Sequence, residues 1–110
     1  MLEEINDRKK KRIQEKTIYF LPNDLKSKIN SKEELDKIYD YKYKFVSREE
    51  LDTAIIEQNE NVVYAKIVNY SNLRFVLFFQ AKDSELLYGR VMAGFNQLDI
   101  GPKFIKDLND

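Results

Sequence analysis

Apolar residues gather in the second half of the chain, in three runs separated by short polar gaps. The stretch from Asn61 to Phe95 holds them: Val62–Val68, Phe75–Phe79, and Leu86 onward. Val62, Val63, Ile67, Val68, Phe75, Val76, Phe78 and Phe79 are β-branched or aromatic, types that suit a pleated surface and lose rotamer freedom in a helix. The gaps Tyr70-Ser71-Asn72 and Ala81-Lys82-Asp83-Ser84 are rich in turn formers, and both are too short for a parallel crossover. The pattern therefore predicts a three-strand antiparallel meander over about 61–95.

Period-two sorting divides these strands into two faces. Val63, Ala65, Ile67, Phe75, Leu77, Phe79, Leu87 and Val91 are expected on one. Val62, Tyr64, Val68, Val76, Phe78, Leu86, Tyr88 and Met92 are expected on the other, with Lys66, Arg74 and Arg90. Neither set is polar throughout, so helices should cover most of the first face and part of the second.

The earlier half alternates between helical and extended patterns. Residues 2–16 read as a helix with a thin stripe, Leu2, Ile5 and Ile13; with so little to bury, it is expected as an exposed arm, or as one that docks on another protein or a second copy. Thr17–Leu21 is a short β-type run stopped by Pro22, after which Asn23 could cap a brief helical turn carrying Leu25 and Ile29. Ser31-Lys32-Glu33-Glu34 and Ser47-Arg48-Glu49-Glu50 are both capping boxes, the second with a Val46–Leu51 hydrophobic staple. Their likeness ends after one turn, which independent capping explains without a repeat. Leu35, Ile38 and Tyr39 form the inward stripe of the first helix, and Leu51, Ala54 and Ile55 that of the second. Between them Tyr39–Val46 alternates aromatic and charged residues as a half-buried strand does, and Gly101-Pro102 opens a last helix with Phe104, Ile105 and Leu108 inward.

The expected fold is α+β: a small mixed or antiparallel sheet centred on the meander, with helices packed on it. One domain over 17–110 follows a helical arm over 1–16. The strand–helix–strand–helix–hairpin order resembles the thioredoxin-like layout, without its Cys-x-x-Cys and with no proline before Val62. The Ser47 helix followed by three strands is similar in element order to PepSY and cystatin-like modules.

Composition narrows the chemistry. The 110 residues contain no histidine and no cysteine, so the commonest general base, the commonest metal ligand and any disulfide are missing. Its three glycines, Gly89, Gly94 and Gly101, make neither a phosphate loop nor a dinucleotide fingerprint. Glu33-Glu34 and Glu49-Glu50 stand where first-turn carboxylates favour the helix dipole. Asp83-Ser84-Glu85 reads as a polar turn, not a calcium loop, and 107–110 as a solvated tail. No catalytic residue, cofactor or metal site is expected.

Two features could support nucleic-acid contact: the basic run Arg8, Lys9, Lys10, Lys11, Arg12, and Tyr41, Lys42, Tyr43, Lys44, whose aromatics could stack on bases. Lysines plus arginines number 19, as do aspartates plus glutamates, a balance that argues against a chain built mainly to hold a polyanion. No apolar run reaches bilayer-spanning length and no signal-peptide core opens the chain. Cytoplasm is the default expectation, and a periplasmic or secreted location follows if these residues are an excised fragment. Usage of Lys, Asn, Ile and Tyr resembles that of AT-rich bacterial genomes. The expectation is a non-catalytic interaction or ligand-binding domain, with weak nucleic-acid binding as its alternative.

Overall fold

The computed structural model of the chain describes residues 9–70, 72–91 and 99–110. A helical segment at 9–14 (α1) precedes strand β1, Thr17–Phe20. Two 3-10 turns, Pro22–Asp24 and Ser27–Ile29, lead into α2, Lys32–Asp36. Strand β2 (Tyr43–Phe45) and helix α3 (Arg48–Ile56) follow. The meander is β3 (Val62–Tyr70), β4 (Leu73–Gln80) and β5 (Leu86–Val91), and α4 (Pro102–Asp107) closes the chain. The sheet is five-stranded and mixed, in the order β2-β1-β3-β4-β5. Strands β1, β2 and β3 run parallel, and the two hairpin pairs are antiparallel. The α+β expectation with its meander is what the chain adopts.

Topology explains how the sheet is covered. From β1 the chain steps outward to β2, then returns past β1 to lay down β3. The two crossovers run in opposite directions, and since such connections are as a rule right-handed, their helices are expected on opposite faces. Leu25, Ile29 and Leu35 from the first crossover join Ile18, Phe20, Val63, Val76 and Phe78 in the main core. On the opposite side, Ala54 and Ile55 of α3 pack with Val62, Tyr19 and Tyr64. The chain ends add Ile13, Ile105 and Leu108 to the main core, all with no exposed surface.

Several expectations change. The exposed arm is, over its described part, a core element: Ile13 is fully buried, and the Gln14 amide donates to the Leu108 carbonyl at 2.9 Å. Leu2 and Ile5 lie outside the described residues. Of Tyr39–Val46 only Tyr43–Phe45 pairs as a strand, in register with Ile18–Phe20 of β1. Asn23 does not cap; it lies inside a 3-10 turn that Pro22 opens. Ser31 and Ser47 do cap, accepting from the Glu34 and Glu50 amides at 3.3 and 3.1 Å. The reciprocal carboxylate arms are spent elsewhere, Glu34 on Lys37 and Glu50 on Lys44.

The largest correction concerns the faces. Each strand alternates as expected, but Tyr70 stands opposite Leu73, so the β3–β4 loop is two residues long. Odd positions on β3 therefore oppose even positions on β4. Val63, Ala65 and Ile67 share their face with Gln80, Phe78 and Val76, not with Phe75, Leu77 and Phe79. A one-residue change in loop length exchanges the faces of the partner strand. On β5 the register slips between Phe78 and Phe79, skipping Leu87, so that both Leu87 and Tyr88 are buried in the main core.

Candidate functional site

The groups marked by the sequence are held at opposite edges of the sheet. At the β5 edge, Lys9 and Arg12 both grip Glu85, at 3.1 and 3.2 Å. Lys10 is buried with its Nζ 5.3 Å from the centre of the Tyr88 ring, a cation–π contact. Lys11 is exposed, and Arg8 lies outside the described residues. At the β2 edge, Lys44 pairs with Glu50 and sits over the Tyr19 ring, while Lys42 is exposed. Tyr43 donates its hydroxyl to Asp36 at 2.5 Å. This bond, with Lys32 beside it, holds the Asp36 carboxyl below the usual carboxylate range; burial and Asp36 together push the Tyr43 phenol up. Tyr41 is exposed beside buried Tyr39. With β1, β3 and β4 between the two edges, the basic run and the Tyr/Lys strand do not form one surface.

Other polar groups have structural roles. Asp83 accepts from the Glu85 amide and from the Gln80 side chain, closing the β4–β5 turn; these bonds lower its pKa. The expected solvated tail is built in: Asp107 pairs with Arg90, and Leu108 is fully buried. Asn109 bridges the Asp40 amide and the Ile38 carbonyl. A groove beside α4 gathers Lys26, Arg90 and Lys103 with Phe104, and its carboxylate, Asp107, is the one Arg90 holds. Among the described residues no three His, Cys, Asp or Glu side chains are grouped as a metal centre requires, and no helix is long and apolar enough to cross a membrane.

The feature that stands out is the sheet face opposite the main core. Register places three rungs there: Tyr64–Phe79–Leu86, Lys66–Leu77–Gly89 and Val68–Phe75–Val91. Tyr64 and Phe79 stack with ring centres 5.6 Å apart. Helix α3 covers the β1 side of this face and stops at Tyr64. Beyond it, Val68, Phe75, Leu77 and Phe79 are only partly buried. Leu86 and Val91 are 42% and 46% exposed, and Leu73, on the same face, 49%. Five large apolar side chains are exposed among the described residues, and three belong to this one strip. Gly89 leaves β5 without a side chain in the middle rung, and the tip of Leu77 leans into that space; a Cβ there would lie 2.7 Å from Leu77 Cδ2.

Sequence reasoning expected partial cover of one face but did not single out this strip. The available signal was the pair of tight turns: strands joined by hairpins bring no helix with them. The chain matches no protein-family model, no curated protein and no solved structure.

Proposed function

We propose that this chain is a non-catalytic interaction domain, and that the half-open apolar strip on β3, β4 and β5 is its docking surface. The observation that carries this is the gathering of Leu73, Leu86 and Val91, exposed, around partly buried Phe75, Leu77 and Phe79 on one sheet face. Scattered apolar residues are normal on a surface, whereas a contiguous patch marks a contact site. Lack of histidine and cysteine supports a role in binding over chemistry. The dispersal of the basic groups, two of them committed to Glu85, supports it over nucleic-acid binding.

The test combines an environment-sensitive dye with selection from a displayed random-peptide library, both on the full chain. The folded protein should enhance dye fluorescence and enrich peptides that compete with the dye. The triple variant Leu73→Lys, Leu86→Lys, Val91→Lys should lose both, with stability within about 1.5 kcal/mol of the parent, since each surface change costs at most about 0.5. Absence of dye binding, failure to enrich any peptide, or unfolding of the variant would overturn the proposal.

A further inference from the structure

The same strip carries information about what it receives, an inference that rests on the interaction role just proposed. We infer that its occupant is an amphipathic α-helix of another protein, one that brings a carboxylate to Lys66.

Shape is the first argument. Helix α3 already lies on this face, against Tyr19, Val62 and Tyr64. A partner sheet laid flat across the strands would run into it. What the described residues leave open spans β3 to β5, two inter-strand spacings or roughly 10 Å, about the diameter of one helix. A helix seated there would lie beside α3 at about the 8–10 Å separation at which helices pack.

Charge is the second argument. Lys66 occupies the middle rung, between Tyr64 and Val68 on its own strand and opposite Leu77. It is exposed and makes no salt bridge with any described residue. Covering it with a purely apolar surface would leave a desolvated, unpaired cation, the costliest arrangement an interface can contain. A partner carboxylate removes that cost and sets the register of the helix on the strip. A second copy of this chain is the poorer occupant. Whichever way a two-fold axis runs across the strip, the three rungs of a second copy supply no acid to meet Lys66.

The test uses two synthetic helical peptides of about four turns with the same leucine stripe at i, i+3, i+4 and i+7. They differ only beside the stripe midpoint, where one carries Glu and the other Lys. Fluorescence anisotropy against the full chain should show the Glu peptide binding about five-fold more tightly, the size expected of one partly exposed charge pair set against its repulsive counterpart. The exposed substitution Lys66→Glu should invert that order without moving the thermal midpoint. Equal binding of the two peptides, or a preference that survives Lys66→Glu, overturns the inference. So does binding of neither peptide by a chain whose dye signal is intact, or light scattering that shows a dimer from which the dye is excluded. Loss of the dye signal in a monomer instead removes the interaction reading itself.

Discussion

Alternate residues of the same strands meet two different environments. Val63, Val76 and Phe78 look toward the first crossover, α1 and α4, and are completely buried. Their neighbours Phe75, Leu77 and Phe79, of equal hydrophobicity, look the other way and are only partly covered. Side-chain type does not separate the two sets. Connectivity does: each parallel step in this sheet requires a crossover that deposits helix on a face, and each hairpin step deposits nothing. The β1–β2–β3 half of the sheet is therefore clothed on both sides. The β3–β4–β5 half depends for cover on the segments around α1 and α4, and Ile13, Ile105 and Leu108 from these lie on the main-core side.

The contrast predicts unequal sensitivity to truncation. Phe78→Ala should cost about 3–5 kcal/mol, the usual range for emptying a buried aromatic site, whereas Leu77→Ala on the open strip should cost less than about 1.5. Chemical denaturation of the two variants checks this, and equal losses would mean that both faces are core.

A smaller effect sharpens the description of the covered face. Tyr39 is buried there, and its hydroxyl has no hydrogen-bond partner among the described residues; burial also pushes its pKa well above the ordinary phenol value. Removing an unsatisfied buried hydroxyl while keeping the ring should stabilise, so Tyr39→Phe is expected to gain about 1 kcal/mol. A loss of stability would show that the hydroxyl is satisfied in solution.

The smallest effect depends on pH. Burial raises the Asp24 carboxyl, Arg48 opposes the shift and Asp99 adds to it. A carboxyl with a raised folded pKa holds its proton more tightly folded than unfolded. Its contribution is thus most favourable below the ordinary carboxylate value of 3.8 and declines as pH rises through the folded pKa. Asp24→Asn should raise the melting temperature at neutral pH and leave it nearly unchanged at about pH 3, where wild-type Asp24 is largely protonated as well. Thermal melts at the two pH values check the sign; a variant that melts lower at neutral pH would show that the Arg48 attraction prevails.

Much of this fold was legible in the chain. The β-branched runs, the caps at Ser31 and Ser47 and the Gly-Pro start of α4 are local signals, each written within a few residues. What was not legible is relational. Whether residues 70–72 contain a loop of two or of three cannot be told from Tyr-Ser-Asn alone, yet that choice decides which face Phe78 occupies. Ile13 looked too isolated to anchor a helix because its partners, Leu108 among them, lie at the far end of the sequence. The apolar strip was hidden for the same reason, since exposure is set by how distant elements pack and not by the local sequence.

By itself the sequence determined element types, their order and the absence of histidine and cysteine chemistry, because propensity, capping and composition act within a few residues of one another. Only the tertiary structure decided which alternate set became interior, where the described basic groups went, and which apolar surface the described residues leave open, with Lys66 in its middle rung. Those outcomes depend on strand register and crossover direction, which couple residues tens of positions apart and leave no local trace.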